Sequence, residues 1–264
     1  MTTWHVWNEA PAGDFAVIGD PVSHSLSPRM HAAAYTQLGL ALTYHAVLVS
    51  RHSFESALAR LQQLGYRGVN VTVPLKDLAL EHQRESSDAR YGGLNALDFQ
   101  RHEGVNTDAP GFLTTVKDLP LLSRSALVLG AGGTGRALTV ALLESGFDVH
   151  IWNRSRERAE KLVQDFPSVR LADAPRPKGF GLALNTTSSR LMGEDLDIDW
   201  EGAEGTVAYD VSYGTGPSQF LRSAQARGLT TRDGLKMLVE QGALSFEWWT
   251  GLPAPRDAMW SAVQ

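Results

Sequence analysis

Ala126-Leu127-Val128-Leu129-Gly130-Ala131-Gly132-Gly133-Thr134-Gly135 is the stretch that decides how this chain folds. A short apolar run enters G-x-G-x-x-G, a helical pattern follows to Ser145, and a second strand is read at Asp148–Trp152. A glycine-rich turn can have a purely geometric role, but between a strand and a helix inside a βαβ unit it marks a dinucleotide site. Gly130 permits the tight turn, Gly132 lets backbone approach a pyrophosphate, and Gly135 lets helix and strand pack closely. A helix beginning near Thr134 aims its N–H groups and the positive end of its dipole at the phosphates, with Ala131 and Gly133 completing the loop.

The end of the next strand selects the dinucleotide. An NAD site commonly has Asp or Glu there to accept hydrogen bonds from the ribose 2′-hydroxyl. This chain has Asn153-Arg154-Ser155, followed by Arg156 and Arg158. A carboxylate would repel a 2′-phosphate, whereas a guanidinium grips it through charged, planar hydrogen bonds. The alternative is a solvated basic helix start, which three arginines near a helix N-terminus oppose on dipole grounds. The sequence therefore predicts NADP as cofactor.

Outward from this loop, apolar runs alternate with amphipathic segments, the pattern of a mainly parallel sheet covered by helices. Toward the N-terminus, strands are predicted at Phe15–Ile18, Thr43–Val49 and Val69–Val73, with helices from Ser27 to Leu38 and from Ser53 to Leu64. Ser27 is read as N-cap and Pro28 as the first helical residue. Leu94–Phe99 and Val105 flank the polar tip Gln100–Gly104 as a hairpin, and Pro110 opens a helix that bridges two domains. Toward the C-terminus, strands are predicted at Leu182–Asn185, Val207–Val211 and Leu229–Thr231, a loop at Leu171–Lys178, and a helix at Leu235–Trp249.

Composition narrows the function classes. The chain has 264 residues, 43% hydrophobic and 20% charged, with a formal net charge of -5 and no cysteine. That charge gives no electrostatic reason to expect nucleic acid or an anionic membrane. The absence of cysteine removes disulfides and thiolate metal sites and fits a reducing compartment. Met1–Asp14 shows no basic start followed by an apolar run, and no apolar stretch reaches the ~18–20 residues of a membrane span. The histidines form no metal-ligand spacing, so no metal is expected. A cytoplasmic location, a small-molecule substrate, and a monomer or homodimer are expected.

Three further segments carry more polar residues than turns require: Ser23–Pro28, Asn70–Lys76 and Asn106-Thr107-Asp108. The first two follow predicted strands, so they lie at carboxyl ends, where open α/β sheets bind ligands. His24 sits in the first, and its plainer reading is a loop histidine packing beside the first strand.

Taken together, these motifs resemble the shikimate dehydrogenase family over Phe15–Gly251. Ser23–Pro28 matches S-x-S-L-S-P, Asn70–Lys76 matches N-V-T-x-P-x-K, and Asn106–Asp108 matches N-T-D. Gly130–Arg136 matches the glycine loop, Asn153–Arg158 matches N-R-T-x-x-R with serine for threonine, and Asn185–Ser188 stands for N-A-T-S. Gly234–Ala243 matches G-x-x-M-L-x-x-Q-G-A. Three departures are visible, one of them a hairpin from Asn95 to Asp108 shorter than the family's. Gly93-Leu94-Asn95-Ala96 replaces A-V-N-T, and Gly214-Thr215-Gly216-Pro217 follows Tyr213 where the family has proline. Gly214 and Gly216 are expected to adopt positive φ in place of that proline turn.

The resemblance implies an α/β fold with an N-terminal substrate-binding domain (1–109 and 235–264) and a Rossmann NADP-binding domain (110–234), the last helix returning to the first. It implies that Ser25 and Ser27 bind a substrate carboxylate with help from Tyr213. Thr72, Lys76, Asn95, Asp108 and Gln241 would contact ring hydroxyls. Lys76 would be the general acid/base, oriented by Asp108, and a surface ion pair is the competing reading of these two. Gly130–Gly135, Asn153–Ser155, Arg158, Asn185–Thr187 and Gly234 would hold the cofactor. The implied activity is NADPH-dependent reduction of 3-dehydroshikimate to shikimate, on the route to chorismate and the aromatic amino acids. A quinate/shikimate dehydrogenase and a non-catalytic NADPH- or shikimate-binding module are the alternatives.

Overall fold

Residues 3–83 and 86–264 are described by a computed structural model of the chain. They fall into two units, Met1–Gly111 with Leu238–Gln264, and Phe112–Met237.

The first unit contains β1 (Trp4–Val6), β2 (Phe15–Gly19), α1 (Ser27–Gln37), β3 (Tyr44–Leu48), α2 (Phe54–Gln63), β4 (Gly68–Val71), α3 (Lys76–His82), β5 (Ala96–Asp98) and β6 (Glu103–Val105). Its sheet order is β1-β3-β2-β4-β5-β6. The first four strands are parallel, and β5 and β6 add antiparallel to one edge. β2 and β4 are buried along their whole length, as expected of strands covered on both faces. α1 buries Ser27, Met30, His31, Ala34 and Tyr35, a stripe at helical spacing.

α4 (Asp108–Val116) takes the chain out of the first unit. The second unit follows with β7 (Ser125–Leu129), α5 (Gly133–Glu144), β8 (Asp148–Trp152), α6 (Arg156–Asp165), β9 (Arg170–Leu171), β10 (Leu182–Asn185), α7 (Ser189–Met192), β11 (Val207–Asp210), α8 (Gln219–Gln225) and β12 (Thr230–Arg232). α9 (Leu235–Thr250) leads back, and α10 (Arg256–Val263) lies against α1 in the first unit. The second sheet is parallel throughout, in the order β12-β11-β10-β7-β8-β9. That is the doubly wound order of nucleotide-binding sheets, with the strand order reversing between β7 and β10.

Several local expectations are corrected. Ser27 does not cap α1, because the N-cap is Leu26 and no side chain makes a cap hydrogen bond there. The helix predicted from Pro110 begins at Asp108, where Asn106 Oδ1 accepts the Ala109 N–H at 3.0 Å. The predicted strand to Val73 stops at Val71, and the chain turns into α3 at Lys76. Leu171, read as loop, ends the short β9. His24 is exposed instead of packed beside β2. Gly214 (φ 157°) and Gly216 (φ 75°) both have positive φ, and Arg190 Nη2 donates to the Gly216 carbonyl at 2.9 Å.

His31 is fully buried and stacks on Tyr44, ring centroids 4.1 Å apart, with neither ring nitrogen hydrogen-bonded to a described residue. Burial pushes its pKa down from 6.5 to about 3. A folded-state value below the unfolded one means that the stability from keeping this ring neutral is present above pH 6.5 and is lost as pH falls toward 3. Between pH 7 and pH 5 the loss is about 2 kcal/mol. Urea unfolding at both values should show the parent protein losing about that much more stability than His31→Phe. Equal losses in the two proteins would show that this ring does not govern the acid limb.

Candidate active site

In the first unit, the loops after β2 and β4 run side by side. The Asp20 N–H donates to the Val73 carbonyl at 3.0 Å and the Thr72 N–H donates to the Ile18 carbonyl at 2.9 Å. These loops and the start of α1 carry Ser25, Ser27 and Thr72 near the carboxyl ends of the two central strands. Both serines are buried, and Ser25 Oγ accepts the Ser27 N–H at 3.3 Å, which shapes the turn into α1.

Lys76 is the first residue of α3, and its Nζ lies 2.6 Å from Asp108 Oδ2, with side chains 14% and 9% exposed. This is no solvated surface pair. Asp108 opens α4, and Asn106 holds that start in place. Asn106 Nδ2 donates to the Gly93 carbonyl at 2.7 Å, and its backbone N–H donates to Asp88 Oδ2 at 2.8 Å. The Leu94 N–H donates to the Lys76 carbonyl at 3.0 Å, joining α3 to the segment that carries Asn95.

Asn95 Nδ2 donates to Thr107 Oγ1 at 2.9 Å and to Gln241 Oε1 at 3.2 Å. Gln241 comes from α9, far along the chain, and its reach depends on Gly111. A Cβ at Gly111 would stand 2.8 Å from the Gln241 nitrogen, so only glycine lets these backbones approach. Lys76, Asn95, Asp108 and Gln241 are thus tied together in one unit, whereas Tyr213 belongs to the other, in the segment after β11.

In the second unit, three segments meet at the carboxyl ends of β7, β8 and β10. Ala131 N–H donates to Asn153 Oδ1 at 3.0 Å, and Thr186 Oγ1 donates to the carbonyls of Leu129 and Gly130 at 3.0 and 3.2 Å. Gly130 has φ 113°, and a Cβ on Gly135 would lie 2.1 Å from the Gly130 carbonyl oxygen, so both positions require glycine. A Cβ on Gly132 or Gly133 would meet nothing within 4 Å. The tip of the loop, at the start of α5, is therefore open, and its shape suits a phosphate group. Gly234 closes on the end of β11, its N–H donating to the Ser212 carbonyl at 3.0 Å. Arg154 pairs with Glu194 at 2.7 Å on the surface, and Arg156 pairs with Glu160 at 2.8 Å. Arg158 is exposed and makes no ion pair with any described residue.

Two acidic residues escaped the sequence reading. Asp210, fully buried at the end of β11, accepts from Asn185 Nδ2 at 3.1 Å, from Ser212 N–H and Oγ at 2.9 and 2.7 Å, and from Ser218 Oγ at 2.5 Å. A carboxylate closing an apolar strand was the available signal, since such a group needs partners. Glu194 gave none, because its pairing with Arg154 depends on the turn after α7. No group of three or more His, Asp or Glu side chains among the described residues could hold a metal ion, and no described helix is long and apolar enough to cross a membrane.

A doubly wound parallel sheet with an open glycine loop, together with a second α/β unit holding a part-buried lysine–aspartate pair, defines a dinucleotide-dependent α/β dehydrogenase. Comparison with known proteins narrows the class. Residues 17–96 match the family model of the shikimate dehydrogenase substrate binding domain, residues 115–175 that of shikimate/quinate 5-dehydrogenase, and residues 234–264 that of the shikimate 5′-dehydrogenase C-terminal domain. Shikimate dehydrogenase (NADP(+)) of Thermus thermophilus is 43% identical over 261 residues, covering 95% of this chain and 97% of its own. The crystal structure of a Thermus thermophilus shikimate 5-dehydrogenase in complex with NADP(H) and shikimate is 39% identical, with a TM-score of 0.86 over 94% of this chain and 97% of that one. Shikimate dehydrogenase from Aquifex aeolicus is 33% identical with a TM-score of 0.87, covering 96% and 98% of the two chains. The chain belongs to the shikimate dehydrogenase family.

Proposed function

We propose that this chain catalyses the reversible NADPH-dependent reduction of 3-dehydroshikimate to shikimate, a step toward chorismate and the aromatic amino acids, in the cytoplasm. The observation that carries the reading is the Lys76–Asp108 pair, held at 2.6 Å and largely shielded from solvent. It stands at the carboxyl ends of the first unit's strands, where ligands of open α/β sheets bind.

NADPH supplies the hydride that reduces the substrate's carbonyl carbon. The chain's own residues do the rest. Lys76 Nζ donates a proton to the oxygen as it becomes a hydroxyl, and accepts it in the reverse direction. Asp108 holds the lysine head in one position and accepts a hydrogen bond from the same hydroxyl. Ser25 and Ser27 donate to the carboxylate, Thr72, Asn95 and Gln241 contact the remaining ring hydroxyls, and Tyr213 completes the carboxylate end. Fixing the ring by several such contacts makes proton transfer effectively unimolecular. Gly130–Gly135 wraps the pyrophosphate, Asn153–Ser155 with Arg158 takes the 2′-phosphate end, and Asn185–Thr187 with Gly234 borders the nicotinamide half.

Following NADPH absorbance with shikimate and quinate, each with NADP and NAD, tests this reading. Turnover is expected with shikimate and NADP, with kcat/KM well above that for quinate or for NAD. Faster turnover of quinate would assign the chain to the quinate branch. Binding of both ligands without turnover would make it a binding module.

A further inference from the structure

Arg154 is the first of the arginines after β8, and Glu194 stands in the turn after α7, behind β10. Gly193 caps α7 at a left-handed φ of 65°, and the Glu194 N–H donates to the Ser189 carbonyl at 2.9 Å. That turn fixes where the Glu194 side chain leaves the backbone. β8 and β10 are the two neighbours of β7 in the sheet. The 2.7 Å pair between Arg154 Nη1 and Glu194 Oε2 therefore joins segments on either side of the strand that feeds the glycine loop.

The contact uses one nitrogen of the guanidinium and one oxygen of the carboxylate. A guanidinium carries several N–H donors, so Arg154 keeps donors for a phosphate while Glu194 stays beside it. Neither side chain has another hydrogen bond or ion pair among the described residues. A 2′-phosphate gripped by Arg154 would thus approach a negative charge already held on the same guanidinium. Two anions at such close range repel, by an amount that is modest on an exposed surface and screened by salt. A ribose 2′-hydroxyl is neutral and meets no such opposition.

We infer that Glu194 is a specificity-determining residue for the cofactor: its carboxylate, held beside Arg154, opposes a 2′-phosphate and so limits how strongly the chain prefers NADP over NAD. This rests on the proposed role of Arg154 at the 2′-phosphate. The arginines set the direction of the preference, and Glu194 reduces its size.

Glu194→Gln keeps an oxygen able to accept from Arg154 and removes the charge, which separates repulsion from any steadying of the arginine. The test measures binding of adenosine 2′-phosphate and of NAD by calorimetry in the parent, Glu194→Gln, Arg154→Met and the double variant, with kcat/KM for NADP and NAD alongside. At low ionic strength Glu194→Gln should tighten adenosine 2′-phosphate and raise kcat/KM for NADP by about twofold to fivefold, the size of one exposed charge interaction. Binding and turnover of NAD should not move, and the gain with NADP should shrink at high salt. In the Arg154→Met background the same substitution should add little, because nothing then holds the carboxylate at the phosphate. Unchanged or weaker binding of adenosine 2′-phosphate by Glu194→Gln, while Arg154→Met weakens it, overturns the inference. An equal gain with NAD, or an equal gain without Arg154, overturns it as well. If Arg154→Met leaves binding of adenosine 2′-phosphate unchanged, the phosphate reading of Arg154 fails and the inference falls with it.

Discussion

Lys76→Met is expected to lower kcat by roughly 10²–10⁴-fold, the range that a positioned general acid/base contributes. Methionine keeps much of the apolar stem and deletes the proton-transfer group. Because Lys76 begins α3 and its carbonyl accepts from Leu94, the backbone around it has support that the substitution leaves intact. The shikimate KM should change far less than kcat. Some stability will be lost under either reading, since Asp108 is 9% exposed and would keep a carboxylate without its 2.6 Å partner. Turnover therefore decides the matter. Asp108→Asn should also lower kcat, and the double variant should cost less than the sum of the single losses, as residues acting as one unit do. A Lys76→Met protein keeping more than about a tenth of parent kcat would reduce the pair to a structural ion pair.

The fold was legible where burial and turn chemistry speak together. β10 lies where its apolar run places it, because strands covered on both faces are written as nearly continuous apolar residues, and β8, whose residues alternate, keeps its predicted bounds. β1 and β9 were not read, and both are short edge strands, paired on one side only. Their sequences, Trp-His-Val and Arg-Leu, carry no period long enough to separate strand from loop. α3 was hidden for a different reason. Lys76–His82 sits directly behind a motif whose polar residues drew a functional reading, and its helical character depends on the Leu75 turn. Ser27 shows the reverse error, since Ser-Pro is a helix-start signal, yet Ser25 supplies the hydroxyl that shapes the turn.

Of the site, the sequence carried residue types but not their pairing. Lys76 and Asp108 were joined by resemblance, and nothing in their separation along the chain says that they meet. Asn106, read only as part of a motif, sets the start of α4 and so the position of Asp108. Arg154 and Arg158 are the instructive case. Sequence treats them alike, whereas the structure pairs one with Glu194 and leaves the other without an ionic partner among the described residues.

That difference shapes the expected cofactor result. Replacing Arg158 with Asp should lower kcat/KM for NADP by about tenfold to a hundredfold, the worth of one charge-assisted contact, while leaving kcat/KM for NAD nearly unchanged. Arg154→Asp should act in the same direction despite the ion pair with Glu194. That pair is 61% and 46% exposed, and exposed pairs contribute only ~0–1 kcal/mol, less than a phosphate contact returns. Arg156 supplies the internal control. It is engaged by Glu160 and Asp173, so Arg156→Ala should shift both cofactors little. Because these guanidinium groups are solvent-exposed, the preference for NADP should also narrow as ionic strength rises and the Debye length shortens. Steady-state kinetics with both cofactors at low and high salt measures all of this. A parent enzyme that used NAD and NADP equally, or an Arg158→Asp variant that lost both cofactors to the same extent, would mean that the 2′-phosphate is held by other groups than the arginines after β8.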